Sequence, residues 1–354
     1  MQKQGRTAWI VSIVAVLSIV VAGCGKKDDN ADPKVDTDVS GKVVVSGSST
    51  VEPISSGVAE AFKGQNSKVD ISVDGPGTGD GFKLFCKGET DISDASRPIK
   101  VDEEGEGLTC KENKIEYVEL KVALDGLSVI VNPDNQLECL TFEDLYALIG
   151  PESNGFDNWT DAQALAKELG STSVFPDAPL DITAPGEESG TYDSFIEIAL
   201  QKIGEARFEE GKLKSEDDAK TTRPDYQASG NDNAIVQGVE GSKGGIGWVG
   251  FAYADQAEGD LKKMPISSEK GGECVEPSQE TITDNSYPLS RSLYIYVNAG
   301  KAKSNKAVSA FVDFYLDGLA GFVEQADYTK LAAEDVSKTE SVWKARTVGS
   351  VDGK

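Results

Sequence analysis

The chain has 354 residues, 38% hydrophobic and 27% charged, enough for two lobes of ordinary domain size and too apolar for global disorder. Sixty acidic residues against 35 basic ones leave a formal charge of −25, which excludes binding of nucleic acid or anionic lipid through the bulk field. Histidine is absent altogether, so zinc is disfavoured and the commonest general base is missing.

Residues 1–23 read as a secretory signal. Lys3 and Arg6 form a basic start, and Ala8 to Ala22, "AWIVSIVAVLSIVVA", is an apolar run too short for a comfortable membrane span. It closes on "VAGC". Cys24 after two small residues resembles a bacterial lipobox, whose cysteine is lipidated and becomes the first mature residue; the competing reading is a plain transmembrane anchor. Removing residues 1–23 takes away those two cations and no acid, so −25 becomes −27. Residues 24–41 are polar, carry no apolar periodicity and read as a flexible tether.

Val43 to Val45 reads as a strand, and Val51 to Phe62 as a helix with Val51, Ile54, Val58, Ala61 and Phe62 at helical spacing. Lys68 to Gly75 alternates like a half-buried strand and ends in the glycine-rich turn "GPGTGDGF", with a second helix expected to start near Gly81. Glu89 to Ile99 is a short strand breaking into a loop at Pro98. Lys121 to Val131 reads as a long strand crossing between lobes. Leu140 to Gly150 is a helix capped by Thr141 and Asp144. Leu180 to Leu200 repeats strand, small-residue turn and helix. Gly244 to Ala254 reads as a buried strand and turn, Ser292 to Asn298 as a returning strand, and Lys306 to Leu319 as an amphipathic helix. Strands alternate with helices throughout, which argues α/β layers with substantially parallel sheets.

Three of the strand-to-helix turns are rich in Gly, Ser and Thr: 47–50, 77–81 and 189–191. First-turn N–H groups lack helical partners and lie at the positive end of the helix dipole, so such turns suit an oxyanion as well as a simple cap. Arg97 lies in a loop beside them. "GPGTGDG" has no Lys-Ser or Lys-Thr after it and is neither a P-loop nor a dinucleotide fingerprint. "GEESG" misses the GxSxG elbow by one position. With no histidine and no two-metal carboxylate set, an enzyme is disfavoured, and a phosphate-ester hydrolase stands only as an alternative.

Besides Cys24, four cysteines remain, which in an exported chain suggests two disulfides. Three pairings are possible. Cys86–Cys110, which is local, and Cys139–Cys274, which could close a lobe, are favoured. No metal or cofactor is expected.

The blocks "GSSTVEPI", "GPGTGDGFKLFCKGETDISDASRPI", "GEESGTYDSF", "NDNAIVQGVEGSKGGIGWVGFAYA" and "YPLSRSLYIYVN" stand in an order that resembles the PstS-like phosphate-binding lipoproteins of ABC-type phosphate uptake systems. The resemblance runs from Val43 to about Phe322. It implies a type II-like, two-lobe periplasmic-binding-protein fold, with a ligand cleft between lobes joined by two crossover strands. Lobe one would be 42–125 plus 286–354, and lobe two 126–285. Phosphate would meet Ser49, Thr50, the Val51 backbone, Thr78, Ser96 and Arg97 from lobe one, and Ser189, Gly190 and Thr191 from lobe two. The best-known branch of that family has an arginine shortly before its "SGT" serine, which "APGEE" here lacks. It also has an aspartate matched here by Ser96, with Asp94 two residues earlier. Asp94, Glu188 and Asp232 are the candidates for a carboxylate that accepts the proton of hydrogen phosphate. The implied partners are inorganic phosphate, a membrane permease, and the membrane itself through a lipid on Cys24. The implied state is an extracytoplasmic monomer. A receptor for another oxyanion, sulfate or molybdate, is the alternative.

Overall fold

The computed structural model describes residues 39–101, 105–187, 189–257 and 261–351. The signal, Cys24 and most of the tether lie outside the described residues, as does Glu188. Eleven strands are described. β1 is Gly41–Gly47, β2 Val69–Asp74, β3 Ile92–Ala95, β4 Tyr117–Val131, β5 Leu140–Thr141 and β6 Asp181–Ala184. β7 is Gln227–Ala228, β8 Gly245–Gly250, β9 Lys262–Lys263, β10 Ile266–Ser267 and β11 Ser290–Asn298. Nine of them form one sheet in the order β2-β1-β3-β11-β4-β8-β6-β7, with β9 against β4, while β5 and β10 pair separately.

The sheet is mixed rather than mainly parallel. β1 runs parallel to β2 and β3, and β6 parallel to β7 and β8, but β11 is antiparallel to both β3 and β4, and β4 to β8. β4 is the long crossing strand. Its Tyr117–Gly126 stretch pairs with β11, and Leu127–Val131 pairs with β8. Nearly every residue of β4 is buried, which is why it reads as a continuous apolar run. The second crossing lies beside it, where the Leu127 N–H donates to the Leu289 carbonyl at 2.9 Å.

The helices start with α1 (Glu52–Gln65), α2 (Thr78–Phe85) and α3 (Glu106–Glu112). α1 buries Ile54, Val58 and Phe62, and Phe62 meets the rings of Phe311 and Phe314 edge-on at 5.7 and 5.3 Å. α2 starts at Thr78, three residues before the expected point. Gly77 at φ 106° turns the chain there, and the Gly81 N–H already closes a helical bond to the Gly77 carbonyl at 2.9 Å. Only glycine adopts such a backbone freely. A Cβ on Gly81 would stand 2.3 Å from Gly47 Cα, so the two glycines let α2 rest directly on the end of β1.

α4 (Phe142–Ile149) carries the expected Thr141–Asp144 capping box, and α5 (Gln163–Leu169) follows. α6 (Gly190–Phe195), a π turn over Ile196–Leu200 and α7 (Gln201–Glu209) form one continuous helical run. Phe195 stacks on Trp248 of β8 at 4.2 Å and 14°, which seats α6 on the sheet. α8 (Asp232–Gly241) and α9 (Phe251–Gln256) flank β8, so the expected turn after Gly250 is a helix. α10 (Gln279–Thr283), α11 (Ala299–Ser304), α12 (Lys306–Asp317), α13 (Leu319–Gln325) and α14 (Ala333–Ala345) complete the chain. Among the described residues no helix is long and apolar enough to cross a membrane.

Cys86–Cys110 and Cys139–Cys274 are both bridged, with sequence separations of 24 and 135. The first sits in a core of Phe82, Phe85, Tyr117 and Tyr296 and ties α2 to α3. Loop-closure entropy favours the longer bridge, roughly 5 against 3 kcal/mol in the chain-entropy model. Replacing Cys139 and Cys274 by Ser is therefore expected to lower the calorimetric Tm more than replacing Cys86 and Cys110. The reverse order would place the stabilisation in the packing of the smaller core instead.

Candidate functional site

Four segments converge at the ends of β1 and β3, beside the middle of β4 and the start of β11. The turn 46–50 leaves β1 and enters α1, the turn 77–81 opens α2, the loop 94–98 leaves β3, and α6 with its π turn faces all three. Thr50 is fully buried, and its hydroxyl stands 3.4 Å from Ser194 Oγ. Ser49 Oγ donates to Asp193 Oδ2 at 3.0 Å. Thr78 and Ser96 pair through their hydroxyls at 2.9 Å, and the Ser96 N–H donates to Thr78 Oγ1 at 3.1 Å. Ser96 Oγ also reaches Glu197 Oε2 at 3.3 Å.

Arg291 of β11 stands at the centre. Its Nε donates to Asp125 Oδ2 at 3.1 Å and its Nη1 to Glu197 Oε2 at 2.5 Å, while its Nη2 donates to Thr50 Oγ1 and Ser194 Oγ, both at 3.0 Å. Ser194 Oγ donates in turn to Asp125 at 2.7 Å. Burial pulls the guanidinium pKa down, but Asp125 and Glu197 outweigh it and hold the group above its ordinary value. The bidentate reach of arginine suits this clustering of oxygens. The sequence reading passed over Arg291, although it stands in the quoted block "YPLSRSLYIYVN". Its signal was a cation inside an otherwise apolar strand, and no local pattern distinguishes that from an outward-facing charge.

The other expected residues divide into two groups. Thr78, Ser96 and Arg97 line an open groove of about 730 Å³ together with Glu197, Lys202 and Arg291. Within it Arg97 is committed elsewhere: it bonds Glu106 at 2.6 Å and lies 5.5 Å over the Phe82 ring. Ser189, Gly190, Thr191 and Asp232 line a smaller cavity of about 210 Å³ with Asp125 and Tyr328. Ser189 caps α6 by accepting the Thr191 N–H at 3.2 Å. The Val51 N–H is held by the Ser48 carbonyl at 3.2 Å. Burial, and then Asp327, push the Asp232 carboxyl upward. Burial raises Asp193 too, opposed by the bond from Ser49. Among the described residues no group of three or more His, Cys, Asp or Glu could hold a metal ion.

Asp94 is the third residue of β3, with none of its side chain exposed. Its Oδ1 accepts from Ser55 Oγ at 2.9 Å, while its Oδ2 has no hydrogen-bond partner, as is also true of the nearby buried hydroxyls of Ser46, Ser48 and Ser93. A buried oxygen without a donor is unusual and marks a place for a proton.

Comparison with known proteins agrees with this architecture. The model of the PBP superfamily domain matches residues 32–318, and the chain belongs to that superfamily. Protein SphX of Synechocystis sp. is 38% identical over 313 residues, which are 88% of this chain and 84% of SphX. The phosphate-binding protein PstS of Staphylococcus saprophyticus is 34% identical over 325 residues, 92% of this chain and 90% of that protein. The crystal structure of a possible phosphate binding protein from Planctomyces limnophilus superposes with a TM-score of 0.74 at 36% identity, covering 87% of this chain and 99% of that one. The fold is thus that of a periplasmic binding protein, and phosphate-binding proteins of the PstS kind are among its homologues.

Burial drives the Asp94 carboxyl up to about 7, against the bond from Ser55 and with the Glu52 charge adding to the rise. An unfolded aspartate loses its proton near pH 4, whereas Asp94 keeps its proton until about 7. Native stability contributed by this group is therefore complete below pH 4 and falls away up to about 7, by up to about 4 kcal/mol. Thermal melts of ligand-free wild type and Asp94→Asn are expected to diverge progressively between pH 4.5 and 8, with the wild type losing ground. A difference independent of pH would show that Asp94 does not titrate in this window.

Proposed function

We propose that this protein is the extracytoplasmic receptor of an ABC-type phosphate uptake system. It binds inorganic phosphate between two lobes, closes on it, and presents it to a membrane permease. The observation that carries the reading is a cluster of uncharged hydroxyls about one largely buried guanidinium: Arg291 bonds Thr50 and Ser194 directly, and the Thr78–Ser96 pair joins it through Glu197. That arrangement occurs in a chain one-third identical, nearly end to end, to proteins named for phosphate binding.

Lobe one is 42–125 plus 286–354 and lobe two is 126–285, with the hinge where β4 passes from β11 to β8. Hinge closure around a ligand is the ordinary motion of such an arrangement. Ser49, Thr50, Thr78 and Ser96 donate from lobe one, and Ser189, Gly190 and Thr191 close over the anion from lobe two. Arg291 supplies the positive charge and takes the part first given to Arg97. Asp94, rather than Asp232, accepts the proton of hydrogen phosphate, because its Oδ2 is buried and unpartnered. Sulfate carries no proton at neutral pH and would face that carboxylate with nothing between them, a mismatch large enough to discriminate. The reading is of a binding protein and not of an enzyme. The chain acts as a monomer, anchored by a lipid on Cys24 at the outer face of the membrane.

Titration calorimetry of residues 40–354, stripped of ligand, tests this. Tight one-to-one binding of phosphate with no sulfate heat is expected. Arg291→Lys should weaken phosphate binding at least about tenfold, because an ammonium cannot reproduce the fork. Asp94→Asn should admit sulfate. Equal binding of both anions by the wild type would remove Asp94 from the role, and no heat with either would overturn the receptor reading.

A further inference from the structure

Three of the donors assigned to phosphate, Ser49, Ser96 and Arg291, are already occupied by carboxylates of the facing helix. Ser96 Oγ and Arg291 Nη1 converge on a single oxygen, Oε2 of Glu197, at 3.3 and 2.5 Å. Four residues earlier on the same run, Asp193 takes the hydroxyl of Ser49 at 3.0 Å. One oxygen shared between a guanidinium N–H and a serine hydroxyl is the contact that a phosphate oxygen would make. Glu197 belongs to the π turn Ile196–Leu200, an irregularity that often marks functional positions in helices.

The other acid on Arg291 is different in kind. Asp125 is 2% exposed, holds Ser194 as well, and is a fixed counter-ion. The Glu197 side chain is 30% exposed and lies on the wall of the open groove beside Ile198 and Lys202, where it can swing into water without leaving a charge buried. If it swings away with nothing in its place, Arg291 and Ser96 lose a partner. If phosphate takes its place, both remain satisfied.

We propose that Glu197 is an affinity-setting residue. It is a resident anion that occupies Arg291 and Ser96 in the ligand-free protein, holds the two sides of the cleft together, and must be displaced for phosphate to bind. This rests on the phosphate reading of the site. The tethered carboxylate lowers phosphate affinity by competition and keeps Arg291 Nη1 and the Ser96 hydroxyl paired in both states, while Asp125 balances the guanidinium throughout.

The test compares wild type with Glu197→Gln, which keeps the acceptor oxygen and removes the charge. Two readouts are taken on stripped protein: the phosphate Kd by calorimetry, and the radius of gyration by small-angle X-ray scattering. Charge-assisted bonds are roughly twice as strong as neutral ones, so the variant is expected to bind phosphate about tenfold more tightly and to be more open when empty. An unchanged or weaker Kd, with the wild type still binding, overturns the resident-anion proposal and leaves the phosphate reading intact. If neither protein binds phosphate, the phosphate reading fails and scattering alone decides: expansion of the variant supports the clasp, and equal dimensions overturn it. Should Glu197→Gln fail to fold, Glu197→Asp, with the charge kept but the reach shortened, is expected to shift both readouts in the same direction.

Discussion

A single guanidinium holds the working end of this molecule together. Arg291 leaves β11 and touches the strand β4 through Asp125, α6 through Ser194, the π turn through Glu197, and the turn before α1 through Thr50. A cation this enclosed is tolerable only if its charge is balanced and its hydrogens are all used. Each of the four segments supplies part of that need. Their relative placement follows from it, as does the alignment of the small hydroxyls around the same point.

The rest of the fold serves to bring those segments to one place. β4 is shared between the two halves of the sheet, so Asp125 sits at the passage from one partner strand to the other. The stacking of Phe195 on Trp248 fixes α6 against β8, and thereby sets the height of Asp193 and Ser194. The bare contact of Gly81 with Gly47 lets α2 and the end of β1 present Thr78 and the 46–50 turn side by side.

That an anion site should exist in a chain of net charge −25 is not a contradiction. Charges beyond about 8–10 Å are screened at physiological salt, whereas hydroxyls and a guanidinium act at contact. Both site arginines are met by that acidity: Arg97 is bound by Glu106, and Arg291 by Asp125 and Glu197. In so acidic a protein the resident competitor for an anion site is a carboxylate of its own.

Local pattern was enough for most of the elements. Periodicity marked α1, α12 and β4, the Thr141–Asp144 pair marked the start of α4, and the serine- and glycine-rich turns were visible as unusual helix entries. Cysteine count and cellular context pointed to two disulfides with three pairings open, and the structure carries the favoured one. The start of α2 was misplaced because the turning power of Gly77 depends on a positive φ that composition does not reveal. The helix after Gly250 was missed because six residues are too few to show a period. Legibility ended at the partners of charged groups. Arg97 follows the end of one strand and Arg291 stands second in another, and nothing in either neighbourhood says which will meet a carboxylate on its own side and which will reach across to another helix. Asp94 and Ser96 are both buried and were separable only by their partners, which are set by what packs above them. Sequence by itself determined most strands and helices and the supply of oxyanion donors, because these rest on interactions a few residues apart, while the class of protein came from the resemblance of its motif blocks to a known family. Tertiary structure alone decided which cation stands at the centre, which carboxylate is left with an empty oxygen, and which one occupies the donors, because those contacts join residues 39 to 241 positions apart.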